Sequence, residues 1–179
     1  SGSNPGKWND LPSSSTTLQY AIIEYGGMPT DSTVPVISAT ATMIVNDAPT
    51  IESTTTVTYT EHDTPIIISP SVTIGDTDST TIESATISIS SNFVSGDTLS
   101  FTNDDFSKYG NITASYDSST GVLTLSSSGS TATMQQWKDA LENTKFSISS
   151  STDVVNSATK TISWKVNDGS LDSLVDTSS

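Results

Sequence analysis

Ser84-Ala85-Thr86-Ile87-Ser88-Ile89 decides the fold, because apolar and hydroxyl side chains alternate there without a break. Only a strand, whose side chains repeat every two residues, puts Ala85, Ile87 and Ile89 on one face and leaves the hydroxyls on the other. The same period returns at Ile112, Ala114 and Tyr116, and again at Ile162, Trp164 and Val166. Working outward, strands are predicted near Thr54–Tyr59, Ile66–Ile68, Val72–Ile74, Ile82–Ser90, Thr98–Phe101, Ile112–Tyr116, Val122–Ser126, Phe146–Ser149 and Thr159–Val166. Gly96-Asp97 and Tyr116-Asp117-Ser118-Ser119-Thr120-Gly121 read as hairpin punctuation, and strands spaced this regularly predict an all-β sandwich.

One short helix interrupts the β pattern. Thr133-Met134-Gln135-Gln136 offers an N-cap threonine with glutamine three residues on, a capping box, and Ala132 faces Trp137 as a weak hydrophobic staple. Met134, Trp137 and Leu141 then recur as the stripe of a helix lying on a core, ending near Glu142 or Asn143.

Composition limits what the chain can do. Leu, Ile, Val and Phe supply 38 of 179 residues, just above the level at which high charge favours disorder, so the patterning decides for order. Roughly a third of the residues are Ser or Thr, a surface suited to the outside of a cell. The net charge is −14 and all six basic residues are lysines, which disfavours nucleic acid and leaves carboxylates that suit hard cations such as Ca²⁺. There is no cysteine, hence neither disulfide nor thiolate metal site, and no apolar run approaches the length of a membrane span.

Val45-Asn46-Asp47-Ala48-Pro49-Thr50 marks a handover between two β units, since Pro49 forbids helix and central strand alike. The predicted organisation is an irregular lead-in at 1–17, strands at Leu18–Tyr25 and Val34–Val45 within 18–45, a linker at 46–50, a sandwich over 51–173 and a polar tail at 174–179. Ala39, Ala41, Met43 and Val45 share one face of the second of those strands. The metal candidates are Asn46, Asp47, Glu61, Asp76 and Asp78, with Asp63 and Asp168 as further acidic groups. Oxygen ligands drawn from a linker, a strand end and an Asp-x-Asp loop suit the 6 to 8 ligands typical of Ca²⁺.

Val45-Asn46-Asp47-Ala48-Pro49, Tyr59-Thr60-Glu61, Asp76-Thr77-Asp78-Ser79, Gly96-Asp97-Thr98-Leu99 and Thr120-Gly121-Val122-Leu123-Thr124-Leu125 carry a resemblance when read in order. Ala132-Thr133 with Trp137 and Ala140-Leu141 extends it, as does Ile162-Ser163-Trp164-Lys165-Val166-Asn167-Asp168-Gly169-Ser170. Over residues 43 to 173 the chain resembles one cadherin-like tandem repeat of the giant bacterial surface proteins exported by type I secretion, the RTX-type adhesins. The resemblance implies a calcium-binding, Ig-like antiparallel sandwich serving as a spacer, adhesive or structural unit at the cell surface.

The ends depart from that pattern. The strand expected after Ser173 is missing, whereas a strand of the right kind, Val36 to Val45, stands at the front as part of an adjacent repeat or subunit. A competing register makes Val45-Asn46-Asp47 and Val166-Asn167-Asp168 equivalent, although Ala48-Pro49 and Gly169-Ser170 demand different backbones. The expectation is head-to-tail assembly of identical subunits in which Val34–Val45 completes the sandwich of a neighbour. An excised repeat cut across its boundaries would give the same sequence.

Other chemistries find little footing. His62 is the only histidine and no nucleophile motif accompanies it, Asp104-Asp105 reads as a solvated turn, and no phosphate loop is present, so no enzyme is expected. Asn111-Ile112-Thr113 matches the N-glycosylation pattern by a tripeptide frequent in so threonine-rich a chain. The alternative function is a carbohydrate- or receptor-binding module. Trp137 and Trp164 read as core and Trp8 as the aromatic free to be exposed.

Overall fold

Leu125, Ala85 and Val166 lie side by side on three neighbouring strands, and Leu123, Ile87 and Trp164 form the next row; all six are buried. A slip of one residue would turn both rows outward and carry Ser and Thr into the interior, so the alternation fixes the register as well as the fold. Each fully buried aliphatic side chain in these rows contributes about 1.5–3 kcal/mol.

In the computed structural model, which describes residues 45–148 and 158–179, these rows belong to an all-β sandwich. Its strands are β1 (Thr50–Ser53), β2 (Ile66–Ile67), β3 (Val72–Gly75), β4 (Ser84–Ser91), β5 (Asp97–Ser100), β6 (Ile112–Asp117), β7 (Val122–Ser127), β8 (Lys145–Ile148), β9 (Thr161–Asn167) and β10 (Asp176–Ser178). They form a five-stranded sheet in the order β10-β9-β4-β7-β6, a three-stranded sheet β2-β8-β5 and the pair β1-β3, antiparallel throughout. The chain divides after Val45, and the unit described runs from Asn46 to Ser179. The lead-in at 1–17 and the strands at Leu18–Tyr25 and Val34–Val45 lie outside the described residues, apart from Val45 itself.

The helix forms where the capping box places it. In α2 (Met134–Glu142) the Thr133 hydroxyl accepts from the Gln136 amide at 3.3 Å while the Gln136 side chain accepts from the Thr133 amide at 3.0 Å. Trp137, Ala140 and Leu141 are its buried residues, and the Trp137 indole donates to the Ile82 carbonyl at 2.8 Å. A second helical turn, α1 (Phe106–Tyr109), stands where the sequence predicts only a turn. Asp105 is its N-cap, its carboxylate accepting the amides of Ser107 and Lys108, so the Asp104-Asp105 pair read as a solvated turn contains a helix cap.

Two boundaries move. The first strand begins at Thr50 rather than Thr54, because Thr50–Ser53 pairs with Val72–Gly75. Beyond it, the backbone of 54–59 makes a bond from the Val57 amide to the Ser179 carbonyl at 3.1 Å. The segment 174–179, read as a polar tail, contains β10, whose three residues pair with Trp164, Ser163 and Ile162. Its burial is polar rather than apolar: Ser178 is buried and accepts the Trp164 indole at 2.8 Å, and the Asp176 carboxylate accepts the Ser53 amide at 2.5 Å.

Candidate functional site

β1 and β3 pair Thr50 with Gly75, which carries Asn46 and Asp47 to the loop after β3, and β9 delivers Asp168 to the same pole. The Asn46 side-chain amide donates to Asp168 Oδ2 at 2.8 Å, the Asp47 backbone amide donates to Asp78 Oδ2 at 3.1 Å, and the Thr77 hydroxyl donates to Asp47 Oδ2 at 2.7 Å. Asn46, Asp47, Asp76, Asp78 and Asp168 therefore converge from three separate segments. Asp168, a secondary candidate in the sequence, is a full member of the cluster.

The charges are not settled by these bonds. Burial works to raise the Asp76 pKa, but the amides of Asp78 and Ser79, each 3.1 Å from Asp76 Oδ1, outweigh it and hold the carboxyl below its ordinary value. Asp76 Oδ2 is buried and has no hydrogen-bond partner among the described residues. The Asp78 pKa is pushed up, first by the hydrogen bond it shares with the Asp76 side chain, then by burial and by the charges of Asp76 and Asp47. Asp168 is held low, chiefly by the Leu171 amide and, against the opposing effect of burial, further by Asn46 and the Ser170 amide. Like charges crowd one pole, and one carboxylate oxygen has no donor among the described residues.

Glu61 and Asp63 do not join this cluster. The Tyr59 hydroxyl donates to the Asp63 carbonyl at 3.0 Å and accepts the Ile148 amide at 3.3 Å, and Ile148 pairs with Asp97, which is bonded to Lys160 just before β9. Asp168 follows the other end of β9, and a seven-residue strand spans about 23 Å. The sequence reading that grouped Glu61 with residues 46–47 and 76–78 thus joined two poles, because spacing along the chain carries no information about which end of a strand a turn occupies. Among the described residues no three carboxylate or imidazole groups are already gathered around a single metal position.

Other sequence candidates resolve simply. Trp137 and Trp164 are fully buried, which removes both as sugar platforms. The Asn111 side chain is engaged at both ends, donating to the Ser128 carbonyl at 2.8 Å and accepting the Ser127 hydroxyl at 2.6 Å. His62 adopts a left-handed turn conformation at φ 69°. Trp8 lies outside the described residues.

A groove lies at the far pole, at a place no local sequence pattern marks. A cavity of ≈ 320 Å³ is lined by Val57, Tyr59, Ile66, Phe146, Ile148 and Ile162, and Ser178 and Ser179 also reach it. The pairing of β10 with β9 ends at Ile162, and on that side Thr161, Lys160 and Thr159 have no strand partner among the described residues.

Comparison with known proteins finds a similarity to part of a much longer chain. Over 144 residues the chain is 32% identical to halomucin from Haloquadratum walsbyi (strain DSM 16790 / HBSQ001), a match that covers 79% of this chain and 2% of that protein. No family model matches, and no solved structure matches. What these comparisons establish is similarity to a small part of halomucin.

Proposed function

We propose that the chain is a non-catalytic structural or adhesive module of an extracellular surface, akin to the RTX-type adhesin repeats it resembles. In this reading calcium stabilises it at the pole where Asn46 and Asp47 enter, and copies join head-to-tail by strand donation. The observation that carries the calcium reading is the buried, unpartnered Asp76 Oδ2 beside an Asp78 whose pKa is raised by its acidic neighbours. Drawn together by a bound ion, Asp47, Asp76, Asp78 and Asp168, with the Asn46 carbonyl oxygen, would supply an all-oxygen donor set of the kind hard divalent cations take. A bound cation would supply the positive charge that relieves this repulsion and would tie the incoming segment to the sandwich. The similarity to halomucin and a net charge of −14 support the extracellular setting.

The test is thermal unfolding of the full chain in calcium and in chelator. A hundredfold excess over the dissociation constant stabilises by about 2.7 kcal/mol, a shift of several degrees. Asp76→Asn should abolish most of that shift. Superimposable curves at low salt would overturn the calcium reading.

A second reading, a receptor-binding module, is favoured by the loop between β9 and β10, where Leu174 is 90% and Val175 60% exposed. Loss of cell or receptor binding in Leu174→Ser, with calcium response intact, would support it.

A further inference from the structure

We propose that Lys160 and Asp97 are the two halves of a self-made covalent cross-link, an isopeptide bond that closes between the start of β9 and the start of β5 once the sandwich has folded. The proposal stands apart from the calcium and assembly readings above. An amine and a carboxyl meet there under cover: Lys160 Nζ lies 2.6 Å from Asp97 Oδ2, with 13% of the lysine side chain and none of the aspartate side chain exposed. The Phe146 ring adds an apolar neighbour, its centre 6.0 Å from Nζ.

The backbone around the pair is bent to make this meeting. β4 carries a bulge between Ile89 and Ser91, opposite Ile162 and Thr161, and Asn92 just beyond it takes φ 58°, a left-handed conformation that costs a residue with a side chain. There the Asn92 carbonyl accepts from Lys160 Nζ at 2.9 Å and the Asn92 side-chain amide donates to the Thr159 carbonyl at 2.6 Å, so the lysine is aimed by the strained residue. On the acid side the Val94 amide donates to Asp97 Oδ2 at 2.9 Å, and the Tyr116 hydroxyl donates to the Asp97 backbone carbonyl at 2.6 Å.

The chemistry balances within the pair, and the ion pair is its state before closure. A proton passes from Nζ to Oδ2, giving an amine and an acid that a site of low dielectric favours over two separated charges. The nitrogen then attacks Cγ: the Nζ–Cγ bond forms, the Cγ–Oδ2 bond breaks, and Oδ2 leaves as water with a second proton taken from the nitrogen. Ammonium and carboxylate have become one amide and one water, and nothing else is consumed. Groups held in such contact reach effective concentrations on the order of 10⁵–10⁸ M, which lets an amide form without prior activation of the acid. The departing oxygen is the one that the Val94 amide supports. Oδ1, buried with no hydrogen-bond partner among the described residues, stays as the amide carbonyl and no longer carries charge. Lys160 also lines the groove at the far pole, which gives the water a way out. The product joins the two sheets covalently and closes a loop between residues 63 positions apart, so the chain between them cannot extend under a pull on its ends.

The test is the intact mass of the full-length chain after denaturation, followed by digestion and fragment sequencing. The native chain, kept folded at neutral pH, should be lighter than its sequence by one water, and the digest should contain a branched peptide joining the segment of Asp97 to that of Lys160. Lys160→Arg keeps the charge but supplies no nucleophilic amine, so that chain should show its full sequence mass, with folding checked by fluorescence of the buried Trp137 and Trp164. If Lys160→Arg does not fold, the branched peptide of the native chain decides alone. A native chain of full sequence mass overturns the proposal. So does a lost water that maps to a cyclic imide at Asp168-Gly169, which mild base reopens and Lys160→Arg leaves in place.

Discussion

Lys160 reaches from the start of β9 to Asp97 at the start of β5, its Nζ 2.6 Å from the Oδ2 of a carboxylate that is 1% exposed. The pair ties the five-stranded sheet to the three-stranded one. The Val94 amide also donates to Oδ2, at 2.9 Å, and Lys160 donates in addition to the Asn92 carbonyl, but Asp97 Oδ1 is buried without a partner among the described residues. Lys160→Met strands a buried charge and is expected to cost about 3–5 kcal/mol. Replacing both residues with apolar ones of similar size should recover most of that loss. Urea unfolding of the two variants checks both statements.

Trp137 combines complete burial with a hydrogen bond to the Ile82 carbonyl. Trp137→Ala is expected to destabilise by about 3–5 kcal/mol. Trp137→Phe keeps most of the packing and leaves the carbonyl unpaired, for about 1–3 kcal/mol. Calorimetry on the pair separates packing from hydrogen bonding, and a loss well under 1 kcal/mol for the alanine variant would show the ring to be exposed.

The capping box makes a smaller, local prediction. Thr133→Ala removes the acceptor for the Gln136 amide and should cost about 1 kcal/mol. Thr133→Ser should restore nearly all of it in the same melting assay.

Protons and calcium should compete at the acidic pole. The Asp78 pKa is raised in the folded chain, so the metal-free fold gains stability as pH falls through that value and loses it as pH rises. Asp168 has the opposite sign: its pKa is lowered, and its contribution is present above the unfolded aspartate value and lost as pH falls through the folded one. Calcium binding should therefore weaken as pH falls from neutral into the range just above the ordinary aspartate value, well before Asp168 protonates. Isothermal titration at several pH values reads this directly, and Asp78→Asn should flatten the profile.

The parts of the fold that were legible are those written in short-range chemistry. Ala85, Ile87 and Ile89 announced β4, Thr133 and Gln136 announced α2, and Asp117 with Gly121 marked the turn between β6 and β7, where Gly121 takes φ 71°. β10 was illegible because its buried residue is Ser178, whose place is set by the Trp164 indole rather than by hydrophobicity. Ser53, Ser69, Ser127 and Ser173 are buried in the same way; the Ser173 hydroxyl, for example, accepts the Val166 amide at 3.0 Å. At the candidate site the acidic residues were legible, but their division between two poles depends on strand direction. The Lys160–Asp97 pair joins residues 63 apart in sequence, and no local pattern marks it.

The sandwich holds its incoming chain at one pole, through Asn46 and Asp168, and releases β10 toward the other, with Ser178 opposite Ile162. A pull applied at those two points acts along the strands. The Ser53–Asp176 and Val57–Ser179 bonds, which join the entering stretch to the leaving one, then lie across the load and must break together rather than in succession. Such an arrangement sets these two bonds in shear, so the sandwich should resist a pull along its strands better than one that peels them apart.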